Sequence, residues 1–186
     1  MIRILVTGKT GQVASALLAL SRPEGGIEVI TIGRPEIDLS EPTSIASAVA
    51  AARPSVVVNA AAYTAVDRAE SEGDLALSVN GTGAGAVAKA AADFGVPIIQ
   101  ISTDYVFDGT KQTPYLETDI PRPLSIYGAS KLAGKKSCCG SQSHACDPAD
   151  FMGPFLWRSK LPDHDAQVGE GEVGFARCRR SVGKPN

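Results

Sequence analysis

The first twenty residues restrict the fold more than any other stretch. An apolar run, Ile2–Thr7, passes without a spacer into Gly8-Lys9-Thr10-Gly11 and then into Gln12–Leu20, where apolar residues recur at helical spacing. A continuous apolar run bounded by glycine is the pattern of a strand buried on both faces, so the segment reads as strand, tight turn, helix. The alternation continues. Ile27–Ile32, Val56–Asn59 and Val96–Ser102 are further β-branched runs. Ser40-Glu41-Pro42 supplies a capping hydroxyl and a first-turn proline for a helix through Ile45–Ala52. Ala65–Ala92 reads as one or two alanine-rich helices broken near Gly73 or Gly81–Gly85. Strands alternating with helices demand crossover connections, and these are right-handed, so the expected architecture is α/β: a doubly wound parallel sheet covered on both faces. Asp104–Pro123 is rich in turn residues and reads as a long loop, followed by helical character over Leu124–Gly134.

Composition changes abruptly after Gly134. Ile, Leu and Val number 34 in residues 1–134 and only 5 in the remaining 52, where all four cysteines, both histidines and the tryptophan lie. The expected division is therefore a folded domain over 1–134 and an irregular tail over 135–186, too poor in apolar residues for a core of its own. The break suggests a shifted reading frame from about residue 135. A length of 186 residues suits one domain, or one plus part of a second. With 44% hydrophobic residues and a mean hydropathy of +0.02 the chain is not disordered as a whole. A net charge of −2 offers no basic field for nucleic acid. No apolar run approaches membrane length, and the N-terminus lacks signal-peptide order, so a cytoplasmic location is expected.

The chemistry-bearing residues sit where such a sheet would gather them. Gly8 permits the sharp turn, Gly11 lets backbone approach a pyrophosphate, and Ala14 allows close packing, with the free N–H groups of the helix N-terminus facing the phosphates. A Walker A loop is excluded because no Gly-Lys-Ser/Thr closes the turn. After the second strand, Arg34 could meet a 2′-phosphate or be a solvated surface arginine, and Asp38-Leu39 occupy the ribose region, although Asp38 could instead be a turn residue preceding the helix. Ala60, Ala61, Ala62, Tyr63 and Thr64 follow the third strand, small enough at first for a flat cofactor to lie on the backbone. The next strand delivers Thr103 and Asp104. Tyr127 and Lys131, at i and i+4, share one helix face, where a neighbouring cation would favour the phenolate and equip the tyrosine for acid–base work.

This combination resembles the extended short-chain dehydrogenase/reductase family, with its Rossmann-like domain. Val6–Val13, Val58–Asp67 with Ala69-Glu70, Ser102–Gly109 and Tyr127–Gly134 are similar to stretches of the dTDP-4-dehydrorhamnose reductases within it. The resemblance implies hydride transfer from NADPH or NADH to the C4 ketone of dTDP-4-dehydro-6-deoxy-L-mannose, giving dTDP-L-rhamnose, a polysaccharide precursor. Tyr127 would protonate the developing alkoxide, Lys131 would hold the nicotinamide ribose and lower the phenol's pKa, and Thr103 would hydrogen-bond the substrate oxygen. Asp104 would lie beside the sugar. Gln12, Val13, Asp38, Leu39, Ala62, Tyr63 and Thr64 would line the cofactor.

The likeness ends at Lys135-Lys136-Ser137-Cys138-Cys139, and the family's C-terminal substrate domain is expected to be truncated or absent. The family's magnesium-mediated homodimer would need an acidic ligand where Ala16 stands. No metal site is expected, since Cys138, Cys139, His144 and Cys146 match no zinc spacing. Two other functions remain open: a non-catalytic NAD(P)-binding subunit, of the kind resembling the methionine adenosyltransferase regulatory subunit, and a nucleotide-sugar epimerase or dehydratase.

Overall fold

The computed structural model describes residues 1–116 and 118–141. Four strands, β1 (Ile2–Thr7), β2 (Ile27–Ile32), β3 (Val56–Asn59) and β4 (Ile98–Gln100), form one parallel sheet in the order β2-β1-β3-β4. Helix α1 (Gln12–Ala19) joins β1 to β2, and α2 (Ile45–Ala52) joins β2 to β3. Between β3 and β4 lie α3 (Val66–Ala69), α4 (Gly73–Leu77), a π-helical segment over Ser78–Gly83, and α5 (Ala84–Asp93); α6 (Ile126–Ser141) comes after β4. The strand order reverses at β1, whose neighbours β2 and β3 are reached in opposite directions. Such a reversal opens a crevice at the carboxyl ends of the strands, the usual ligand position in open α/β sheets.

The period of two along each strand divides the core between the faces. Leu5, Val57 and Ile98 point one way and pack with Ile45 and Val49 of α2, Val87, Ala88 and Ala91 of α5, and Cys138 of α6. Val6, Val29 and Val58 point the other way, against Ala14 and Leu17 of α1. The doubly wound parallel architecture expected from sequence is the one observed.

Several boundaries differ from expectation for identifiable reasons. The strand expected over Val96–Ser102 is three residues long because its only ladder among the described residues is to Val57–Asn59 of β3. In the alanine-rich stretch, Gly73 begins α4, while Gly81 and Gly83 lie inside the π segment. Residues 135–141, grouped by composition with the tail, form the last turns of α6. Its buried face continues through Tyr127, Ser130, Lys131, Gly134 and Cys138, the cysteine serving as a small hydrophobe. The rest of the tail, with both histidines, Cys146 and Cys178, lies outside the described residues. Among the described residues no helix is long and apolar enough to cross a membrane, and no group of His, Cys, Asp or Glu could hold a metal ion.

Candidate active site

The crevice is lined first by the turn after β1. Gly8 has φ +94, a conformation natural only to glycine, and a Cβ there would sit 3.7 Å from Ala61, so this turn lies close against the segment after β3. Its N–H is held by the Ile32 carbonyl at 2.6 Å. Helix α1 starts without a side-chain cap, with Gly11 and Gln12 exposed and Val13 half-buried. Its first N–H groups thus face the crevice with the positive end of the helix dipole.

At the end of β2, Lys9 pairs with Glu36, and the exposed Arg34 stands 3.7 Å from Asp38. The Asp38 carboxylate accepts from the Ser40 hydroxyl (2.7 Å) and N–H (2.9 Å), and these hydrogen bonds, the hydroxyl's first, hold its pKa below the usual carboxylate range. The Leu39 side chain is committed to the core. Past β3, Ala60–Tyr63 are half-buried and Thr64 is exposed. The Tyr63 phenol turns away to donate to Glu72 (2.6 Å), which also receives Arg68 (2.5 Å).

The third wall is the end of β4 with the first turns of α6. Thr103, 9% exposed, donates its hydroxyl to Asp104 (3.1 Å) and accepts from the Tyr105 N–H (3.3 Å). Tyr127, also 9% exposed, meets the Tyr105 ring edge-on with centroids 5.6 Å apart. Burial is the largest influence on its phenol and raises the pKa; the Thr103 hydroxyl pulls it part-way back, and Asp104 adds to the rise. Lys131 is 5% exposed and donates to the Ile101 carbonyl at 2.7 Å. Burial lowers its pKa to about 8. The pairing expected from sequence, in which Lys131 lowers the phenol, is not the arrangement found: the ammonium rests on a backbone carbonyl, and desolvation governs the phenol. A raised pKa keeps Tyr127 protonated near neutrality, the form a proton donor needs.

Lys131 gives a pH-dependent stability of defined sign. Its folded pKa, about 8, lies below the ordinary 10.5, so between these values the unfolded chain holds more protons and stability rises with pH. Lys131→Met is therefore expected to be more stable than the natural chain at about pH 7 and to lose that advantage as pH approaches about 10, read from denaturant unfolding across the range.

Sequence reasoning missed Asn80, which sits within the π segment and is 3% exposed. Its Oδ1 accepts from the Tyr63 N–H (2.8 Å), and its Nδ2 donates to the Tyr63 carbonyl (3.0 Å) and the Ser130 hydroxyl (2.9 Å). Ser130 in turn donates to the Tyr127 carbonyl at 2.7 Å. Asn80 thereby ties the segment after β3 to the helix carrying Tyr127 and Lys131. The only sequence signal was a polar Asn-Gly pair inside an alanine-rich helix; π segments of this kind recur at functional sites. Asn80→Ala leaves the Tyr63 N–H and carbonyl unsatisfied and is expected to cost about 1–3 kcal/mol per buried group in denaturant melts.

With this geometry in place, the relatives of the chain are informative. The RmlD substrate binding domain matches residues 2–145. The dTDP-4-dehydrorhamnose reductase of Sinorhizobium fredii is 53% identical over 133 residues, covering 72% of this chain and 44% of that protein. The enzyme of the same name from Salmonella typhimurium is 47% identical over 136 residues, covering 72% and 46% respectively. Among solved structures, the Bacillus anthracis dTDP-4-dehydrorhamnose reductase in complex with NADP superposes with a TM-score of 0.73 at 36% identity, over 77% of this chain and 51% of that one. The chain spans about half the length of the curated relatives it matches. On the match to its residues 2–145 and the shared parallel fold, this chain belongs to the RmlD substrate binding domain family.

Proposed function

We propose that the chain carries the hydride-transfer half of a dTDP-4-dehydrorhamnose reductase, reducing the C4 ketone of dTDP-4-dehydro-6-deoxy-L-mannose to the alcohol of dTDP-L-rhamnose. The observation that supports it most is the meeting of Thr103, Tyr127 and Lys131 at the carboxyl end of β4, across the crevice from an uncapped helix N-terminus. The dinucleotide-binding unit is residues 1–134, with its last helix running on to Ser141.

The crevice fits a nicotinamide dinucleotide. Gly8, Gly11, Gln12 and Val13 would hold the pyrophosphate by backbone N–H groups. Arg34, Asp38 and Leu39 would border the adenosine, Arg34 favouring a 2′-phosphate. Ala60, Ala61, Ala62, Tyr63 and Thr64 would form its floor, and Tyr127 and Lys131 would bind the nicotinamide ribose. NADPH or NADH supplies the hydride when bound. The chain's own part is proton chemistry and positioning. Tyr127 gives its phenolic proton to the oxygen that becomes the alcohol, and the Thr103 hydroxyl donates to that same oxygen as negative charge develops there. Asp104 lies exposed beside them, where the sugar hydroxyls would approach. The reaction takes place in the cytoplasm, with no nucleic-acid partner.

Product analysis tests this reading. Incubation of the chain with NADPH and the 4-keto sugar is expected to yield dTDP-L-rhamnose and oxidised cofactor in equal amounts. An epimerised sugar without net oxidation would instead mark an epimerase, and unchanged sugar would mark a cofactor-binding subunit.

A further inference from the structure

Three buried polar side chains stand at one level of three neighbouring strands: Thr7 of β1 lies opposite Asn59 of β3, and Asn59 opposite Gln100 of β4. Two residues earlier on each strand, Leu5, Val57 and Ile98 enter the core from the same face. Exposure is 1% for Thr7, 1% for Asn59 and 5% for Gln100, so the row is tolerable only if its polar atoms are bonded.

They are bonded in one direction. The Ala61 N–H donates to Thr7 Oγ1 at 3.0 Å, which leaves the hydroxyl proton for Asn59 Oδ1 at 2.5 Å. Asn59 is thereby oriented so that Nδ2 donates to Gln100 Oε1 at 2.7 Å, and Gln100 is left to donate from Nε2 to the Ile101 carbonyl at 3.0 Å. Each amide's orientation follows from the bond before it. The Ile101 carbonyl is also the acceptor of the Lys131 ammonium, so its two lone pairs are shared between Gln100 and Lys131. Cys138 closes the far side, with Sγ 3.5 Å from Gln100 Oε1.

We propose that Gln100 is a positioning residue: it fixes the Ile101 carbonyl, and through it the Lys131 ammonium, in register with the backbone of Ala61 on the cofactor floor. The proposal rests on the reading of Lys131 as a ligand of the nicotinamide ribose. Gln100 itself touches neither cofactor nor substrate. Its role is to keep still the one hydrogen-bond partner that Lys131 has among the described residues.

The test uses the full chain with ¹⁵N-labelled lysine. Below its pKa of about 8, Lys131 is expected to give a slowly exchanging ammonium signal, identified by its loss in Lys131→Met. Gln100→Met keeps length but removes donor and acceptor; it is expected to abolish that signal and weaken NADPH binding about tenfold, the size of one lost bond to a charged group. Val57→Ala, an equally buried change outside the row, is expected to lower the unfolding midpoint while leaving signal and affinity in place. If Gln100→Met fails to fold, Thr7→Val, nearly isosteric and two strands away, carries the same expectation. A Gln100→Met chain with unchanged signal and affinity overturns the proposal, as does a natural chain with no protected ammonium. If the natural chain does not bind NADPH at all, the functional reading falls, and the ammonium signal still decides the role of Gln100.

Discussion

Tyr127→Phe is expected to lower the rate of NADPH oxidation by the 4-keto sugar about 10²–10⁴-fold, the usual worth of a positioned acid. Cofactor affinity should fall far less, by about tenfold at most, the worth of the one hydrogen bond the phenol would lend the nicotinamide ribose, because the larger effect is confined to the transition state. The substitution is clean in this setting. The phenylalanine ring keeps the edge-on contact with Tyr105 at 5.6 Å and the packing with Ala69 and Ala76, and only the hydroxyl is lost. Stopped-flow absorbance under single-turnover conditions separates the two effects. Because burial already holds the phenol protonated, the natural chain's rate should not fall between neutral pH and the onset of Lys131 deprotonation near 8.

Gly134→Ala is expected to cost about 1–3 kcal/mol of stability, in the range of an overpacked core. A Cβ at Gly134 would lie 2.0 Å from the Asn80 carbonyl oxygen, 3.1 Å from its carbon and 3.2 Å from the Ala84 Cβ. The first two are backbone atoms, so no side chain can yield, and α6 must withdraw from the π segment. Withdrawal breaks the Asn80 to Ser130 bond and moves Lys131, three residues before Gly134 on the same helix. Cofactor affinity should therefore fall together with the unfolding midpoint. Among the described residues, nothing lies within 4 Å of a would-be Cβ at Gly140 on the same helix. Gly140→Ala should consequently leave affinity unchanged and match or raise the midpoint, since alanine is favoured over glycine by about 0.5–1 kcal/mol within helices. Paired denaturant melts of the two variants check this contrast.

Where hydrophobic period decides the outcome, the sequence was sufficient. The bounds of β2 and β3 agree with the apolar runs Ile27–Ile32 and Val56–Asn59, and the glycine turn opens α1 at Gln12. The juxtaposition of Thr103, Tyr127 and Lys131 was legible because each ends or occupies an element whose direction the alternating pattern already implies. What escaped depends on tertiary contact. The π segment exists because Asn80 turns inward to the Tyr63 backbone, and nothing local in Ser78–Gly83 announces a partner seventeen positions away. The turns of α6 beyond Gly134 were hidden because composition counted Ile, Leu and Val, whereas the residue that fills the core there is Cys138. The direction of the Tyr127 shift was also hidden: i, i+4 spacing places a cation on the same face, but burial and the Ile101 carbonyl determine what that cation does. Gln100, in a run read as plain strand, gave no sign that its side chain continues a row begun at Thr7.

The most direct measurement is a titration of the natural chain with NADPH, followed by nicotinamide fluorescence, with the 4-keto dTDP-sugar added to the same cuvette at saturation. The expected result is saturable binding and then a loss of reduced-nicotinamide absorbance that requires the sugar and disappears in Tyr127→Phe. Saturable binding with no oxidation on adding the sugar would contradict the assignment of Thr103, Tyr127 and Lys131 as a reductive centre, and the absence of binding would contradict the dinucleotide crevice itself.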